Sequence, residues 1–278
     1  MEWSWLQSLF YGLTSGVCEF LPVSADVHRA MFSYLTGSGE EELVFRLISH
    51  VCILLALFLS CRPQLEKLRR ERKIASVPAK KRRRQPDVRT MLDIRVMKTA
   101  LLPMLLGFVF YLPARDRVND LWLLALILAI NGAILFLPQL FPRGNKDSRS
   151  MSAVDSLLMG LGRGIGVIPG ISGIGAAVSL GKLRGLDRQY AVDICLLLSI
   201  PALLALIGFD VYSVAAFGAA VSLGQIVPYI LAGIAAFLGA YLSVILMRFL
   251  AVKIGFSGFS YYCWGAALFV FVLYLTIS

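Results

Sequence analysis

Residues Gly16–His28, GVCEFLPVSADVH, decide how this chain is read. From Glu19 to His28 they place a carboxylate, a hydroxyl, a second carboxylate and an imidazole inside the first apolar segment, divided by Pro22. Proline removes a backbone donor and biases Leu21 toward extended structure, so the segment reads as a broken helix. Ser24 then stands as the N-cap of a helix that carries Asp26 and His28. Helix N-termini gather unpaired N–H groups and partial positive charge, which suits a phosphate. The plainer reading leaves Ser24 as a cap alone, with Asp26 and His28 at an aqueous boundary. Glu19, flanked by Cys18 and Phe20-Leu21, resists that reading, because a carboxylate among apolar residues in a membrane is costly and marks function.

The surrounding chain supplies the membrane. Of its 278 residues 58% are hydrophobic, the mean hydropathy is +0.75, and soluble domains lie nearer 45–50% apolar. Leu43–Cys61, Val96–Leu112, Leu121–Phe141, Tyr190–Phe209, Ile226–Met247 and Tyr261–Ile277 read as spans of a roughly 30 Å hydrocarbon core. The start, MEWSWLQSLFYGLTSG, has Glu2 and no basic n-region, so it is not read as a cleavable signal. Cys18, Cys52, Cys61, Cys195 and Cys263 form no CxxC pair and read as packing residues.

The formal net charge of +10 is concentrated. Between Arg62 and Lys98 lie fourteen Lys or Arg against four Asp or Glu, including Lys80-Lys81-Arg82-Arg83-Arg84. This stretch reads as a solvated, partly disordered cytoplasmic loop by the positive-inside rule, in reach of anionic head groups. Orientation alone accounts for the charge, so a nucleic-acid partner is not expected. Counting spans from that loop puts Glu40-Glu41-Glu42 outside and Arg143, Lys146, Arg149, Arg248 and Lys253 inside.

Two segments, Trp3–Leu35 and Met151–Gly185, are interrupted by Pro and Gly and do not read as spans. If each enters and leaves on one side, the chain is an all-α polytopic membrane protein forming one domain over 1–278. Residues 1–141 (with the basic loop 62–98) and 151–278 then make an inverted repeat. Each half contributes one re-entrant broken segment and three transmembrane helices, and the broken segments meet at a midplane site. The second broken segment, GLGRGIGVIPGISGIGAAVSLG (Gly160–Gly181), carries one charge, Arg163. Its glycines suit either an anion-binding nest or close helix packing, and Ser172 is placed to cap the helix after Pro169-Gly170. His50, in the first span, is either a packing residue or part of the same cavity.

These motifs resemble those of bacterial undecaprenyl-diphosphate phosphatases. EFLPVSADVH is similar to the family box Glu-Phe-Leu-Pro-(Val/Ile)-Ser-Ser-x-x-His, and IPGISGIG to Pro-Gly-x-Ser-Arg-Ser-Gly. FRLISHVCILLAL and CLLLSIPALLAL resemble the flanking stretches, so the similarity covers nearly the whole chain. It implies an inverted-repeat fold in the bacterial inner membrane and hydrolysis of a polyprenyl diphosphate, recycling the cell-wall lipid carrier. Glu19, Ser24 and His28 are the implied catalytic residues, with Ser24 or water attacking and His28 as base and then acid. A divalent cation, Mg or Ca, is the implied cofactor, held by Glu19 with Asp26. Arg163, Pro169, Gly170, Ser172, Gly173, Gly175 and His50 are the expected substrate-binding set, and a homodimer is the oligomer allowed for.

The sequence departs from the family at Ser15, where another Glu is usual, and at Ala25, where a second Ser is usual. It departs again at Gly173 and Ile174, which stand where an Arg and a Ser are usual. Arg163, where Gln is common, is expected to replace the missing cation. The alternative is a weakened or inactive relative that binds or flips an anionic lipid.

Overall fold

The computed structural model of the chain describes residues 3–37, 43–115, 117, 120–218, 223–253 and 256–277. The acidic run Glu40-Glu41-Glu42 lies outside the described residues. The described chain is all helical, with twelve α-helices and no strand. The first broken segment is α1 (Trp5–Phe20) and α2 (Ala25–Thr36). It is followed by α3 (Leu43–Ser60), α4 (Arg62–Ser76), α5 (Val88–Gly107), α6 (Tyr111–Arg115) and α7 (Leu121–Phe136). The second broken segment is α8 (Ala153–Gly164) and α9 (Gly173–Leu183), before α10 (Arg188–Phe217), α11 (Ile226–Lys253) and α12 (Ser257–Ile277).

Five helical stretches among the described residues are long and apolar enough to cross a membrane: α3, Leu121–Leu140, α10, α11 and α12. The sixth expected span, Val96–Leu112, is not one helix. α5 starts eight residues earlier on polar sequence, with Arg89, Asp93, Arg95 and Lys98 in its first eleven residues. It ends at Gly107, where a 3-10 turn at Phe108–Phe110 leads into α6.

The broken segments are packed by small residues. α1 lies along α11, and a β-carbon on Gly16 would sit 2.8 Å from the backbone nitrogen of Ala240. α8 lies along α5 in the same manner, where a β-carbon on Gly107 would sit 2.6 Å from the Gly164 backbone. In an apolar solvent, such close backbone approach supplies the van der Waals contact that drives helix association. α3 packs against α10 and α11, and α7 against α12. The main core joins Phe20, Ile53 and Leu57 to Met104, Ile174, Leu196 and Val244, so it links both broken segments to the long helices.

The stretch 62–98 is not the solvated loop expected from its charge. Leu, Glu, Lys and Arg are good helix formers, Pro63 sits in the first turn of α4 where its missing N–H costs nothing, and Arg62 pairs with Glu66 at 2.7 Å. Glu71 is buried and ties the connection down. It accepts from Arg84 Nη2 at 2.6 Å, from Arg70 Nε at 3.3 Å and from the Asp87 N–H at 2.9 Å. Asp87 in turn holds Lys67 at 2.9 Å and Thr90 Oγ1 at 2.7 Å, and caps α5 through the Arg89 N–H. The Arg84 hydrogen bond, with the Asp87 N–H behind it, brings the Glu71 carboxyl down to about 2. The Lys67 and Thr90 hydrogen bonds bring Asp87 to about 2 as well.

A carboxylate whose folded pKa is depressed stabilises above its unfolded value, and the contribution is lost as pH falls through the folded value. For Glu71 that window runs from the ordinary 4.5 down to about 2. Amide-exchange protection at residues 77–88 is therefore expected to hold from about pH 8 to about pH 5 and to fall on further acidification. Glu71→Gln is expected to show the loss at neutral pH, and wild-type protection in Glu71→Gln would contradict the role given to the carboxylate.

Candidate active site

The two breaks face each other. Pro22 ends α1, and Ser24 turns the chain into α2 with φ 63° and ψ 106°, the one non-glycine residue with positive φ among those described. Such a backbone is held only where its surroundings over-determine it, typically at functional sites. Ser24 occupies the N-cap position, as expected, but caps nothing. Its left-handed backbone directs the hydroxyl across to the other break, where Oγ accepts the Gly170 N–H at 3.1 Å. Ser172 does cap its helix, accepting from the Gly175 N–H at 3.2 Å, and its hydroxyl donates to the Leu21 carbonyl at 3.3 Å.

Asn131, the one amide within α7, closes the connection between the breaks. Its Oδ1 accepts the Ser172 N–H at 2.9 Å, and its Nδ2 donates to the Pro22 carbonyl at 3.3 Å. Pro169, Gly170 and Ile171 form the second break, and Gly170 adopts φ 101°, where a side chain would also meet Ile127.

Between the breaks lies a narrow cavity of about 80 Å³. Glu19, Ser24, Asp26, Arg163, Pro169, Ser172 and Gly173 line it, so the structure brings together most of the residues singled out from sequence. Gly170 reaches it through the N–H given to Ser24. Gly175 lies behind, packed against Leu135 and Pro22.

Arg163 is buried, with Nη2 3.5 Å from Glu19 Oε1 and Nε donating to Ser199 Oγ at 3.0 Å. A β-carbon on residue 173 would lie 2.6 Å from Arg163 Nη1 and 2.9 Å from its carbonyl oxygen. The side chain missing at Gly173 is thus the space the guanidinium occupies.

Both histidines stand apart from the cavity wall. His28 Nδ1 lies 2.7 Å from the Ser24 carbonyl oxygen and Nε2 lies 2.6 Å from Tyr262 Oη, with the two rings stacked at 5.7 Å. A carbonyl only accepts, so the Nδ1 proton goes to Ser24 O, and the ring holds the Ser24 backbone instead of facing its hydroxyl. His50 lies behind the wall, with Nδ1 2.6 Å from Asp210 Oδ2.

Three residues not singled out from sequence complete the electrostatics. Arg29 lines the cavity and is 2.5 Å from Asp26 Oδ1. Arg46 lines it too, anchored through Nε to Asp210 Oδ1 at 2.7 Å. Asp210 is fully buried in α10 between Arg46 and His50. A signal existed for Arg46, which lies inside the Leu43–Cys61 span, since charges inside apolar spans are rare and usually pair. The cavity wall thus presents three guanidinium groups against two carboxylates.

The carboxylates this cavity offers a metal are Glu19 and Asp26. Glu19 and Asp26 are each paired with an arginine. Among the described residues no group of three or more His, Cys, Asp or Glu converges.

The fold and the cavity define a multi-pass helical membrane protein with a buried, arginine-rich site between two broken segments. A family model described as bacitracin resistance protein BacA matches residues 8–269, and the chain belongs to that family. It is similar to the undecaprenyl-diphosphatase of Carboxydothermus hydrogenoformans, at 29% identity over 271 residues covering 96% of each chain. It is also similar to the undecaprenyl-diphosphatase of Methanobrevibacter smithii, at 28% over 276 residues and 96% of each. The undecaprenyl-diphosphatase 1 of Shouchella clausii is 27% identical over 278 residues, covering 97% of this chain and 96% of the relative.

Ser24→Gly and Ser24→Ala both remove the hydroxyl, but only glycine relieves the positive φ. Ser24→Gly is expected to be more stable than Ser24→Ala by about 1 kcal/mol, read from thermal unfolding in detergent. Equal stability would show that the Ser24 turn is unstrained.

Proposed function

We propose that this chain hydrolyses the phosphoanhydride of undecaprenyl diphosphate, or a related polyprenyl diphosphate, to the monophosphate and phosphate, recycling a cell-wall lipid carrier. Membership of the BacA family and the names of its relatives support this reading. The observation that carries it to this chain is the pairing of Arg163 with Glu19 in the space left by Gly173. The resemblance puts an arginine at position 173, and here the positive charge arrives from one helix earlier.

Diphosphate hydrolysis is mostly positioning and neutralisation of charge. Arg29, Arg46 and Arg163 supply the cations, and the buried setting strengthens each of them. Either a water attacks the terminal phosphorus, or Ser24 Oγ does and a water then hydrolyses the phosphoserine. In each case Glu19 takes the nucleophile's proton, the prenyl monophosphate leaves as the phosphoanhydride bond breaks, and phosphate is released. His28 serves as a positioning residue, holding the Ser24 carbonyl through Nδ1 and braced by Tyr262. Glu19 and Asp26 are the residues that would hold a divalent cation alongside the diphosphate, since Mg²⁺ favours one or two carboxylates plus substrate phosphates. When bound, it adds neutralisation of the phosphate oxygens.

The site sits in a single membrane domain built as an inverted repeat of residues 1–141 and 151–278 in the bacterial inner membrane. The packing supports this. Exchanging α1 for α8, α2 for α9, α3 for α10, α5 for α11 and α7 for α12 turns the α1–α11 contact into α8–α5. The same exchange leaves α3–α10 and α7–α12 as themselves. The basic stretch 62–98 supports placing that face in the cytoplasm.

Phosphate release from undecaprenyl diphosphate by the detergent-purified protein, with and without Mg²⁺ or Ca²⁺, tests the proposal. Arg163→Ala and Glu19→Gln are each expected to lower kcat/KM by ~10²–10³, the scale of a lost charge-stabilising group. Release by the wild type no faster than by Glu19→Gln would contradict it.

A further inference from the structure

A second concavity, which shares no lining residue with the catalytic cavity, lies where α4, α5 and α10 meet. It holds about 500 Å³, in the range of ligand-binding clefts. Its floor is apolar, formed by Ile94, Met97 and Leu101 of α5 with Leu198 and Pro201 of α10. Its rim is cationic, formed by Arg69, Arg72 and Lys73 of α4 and Lys98 of α5, and no acidic residue lines it.

The helical register explains this separation. Arg69, Arg72, Lys73 and Ser76 fall at i, i+3, i+4 and i+7 and so share one face of α4. Ile94, Met97, Lys98 and Leu101 share one face of α5 by the same spacing. The acidic partners lie on the other side of α4, where Lys67 pairs with Asp87, and Arg70 and Arg84 pair with Glu71. Among the described residues, none of the four rim cations is in an ion pair.

The floor also runs down into the spans. Leu198 and Pro201 lie ten and thirteen residues into α10, which places them ~15–20 Å along that helix from Arg188. A ligand filling this groove must therefore offer an anion at the polar end and a hydrocarbon chain below it.

We propose that the groove is a binding site for an anionic phospholipid, with its phosphate among Arg69, Arg72, Lys73 and Lys98 and an acyl chain along Met97, Leu101, Leu198 and Pro201. Charge complementarity selects the anion, and the apolar floor requires the chain. The site is independent of the phosphatase reading, because none of its residues lines the catalytic cavity.

Native mass spectrometry of the full chain, released from micelles containing equal phosphatidylglycerol and phosphatidylcholine, tests this. The wild type is expected to retain phosphatidylglycerol over phosphatidylcholine by ~10-fold, with the preference shrinking as salt is raised. Neutralising Arg69, Arg72, Lys73 and Lys98 to Gln should abolish the preference. Arg72→Glu alone should weaken it and stands in if the fourfold variant fails to fold. Undiminished preference in the folded variants would overturn the site. Displacement of the lipid by an equal concentration of inorganic phosphate would overturn the requirement for a chain. Loss of phosphatase activity leaves this readout unaffected.

Discussion

The structure depends on one constraint: two helix breaks inside a membrane must find partners for the backbone groups they expose. Hydrocarbon offers none, and each unsatisfied group costs several kcal/mol, of the order of 2–7. The breaks at Pro22 and Pro169 answer this largely by satisfying each other. The Gly170 N–H reaches Ser24 Oγ, the Ser172 hydroxyl reaches the Leu21 carbonyl, and Asn131 bridges the Pro22 carbonyl and the Ser172 N–H. The polar pocket between them is what irregular backbone in a membrane has to build, and the chemistry is placed in it.

Charge follows the same logic. Glu19 lies beside Arg163, Asp26 beside Arg29, and Asp210 between Arg46 and His50. Removing one member of such a buried pair leaves an uncompensated charge, which is far more costly than the pair is stabilising. The arginines are thereby held in place before a diphosphate arrives. Arg163 and Gly173 are matched in space: the absence of a side chain at Gly173 leaves the room into which the arginine extends.

The sequence disclosed the broken segments, the long spans and most of the cavity wall, because Pro, Gly and isolated charges are conspicuous in apolar surroundings. Ser24 was legible as a residue at a break, but its bond to Gly170 was not, since it joins positions 146 apart in the chain. In the sequence His28 reads as a catalytic residue and His50 as a packing or substrate-binding one; only the structure shows His28 bonded to Ser24 O and Tyr262 and His50 to Asp210. Arg46 was visible as a charge in a span and Asp210 as one just past the end of another, yet their pairing across 164 residues was not. The basic run hid a helix, because charge density says where a segment is solvated and says little about its backbone.

The central claim is that the two broken segments build one site, with Arg163 acting through and beside Glu19. A double-mutant cycle on phosphate release, combining Glu19→Gln with Arg163→Ala, tests it most directly. The account predicts strong coupling, with the double variant falling within about threefold of the weaker single variant, as for residues that act as a unit. Losses that simply multiply would show that the two side chains act independently and would contradict a shared site.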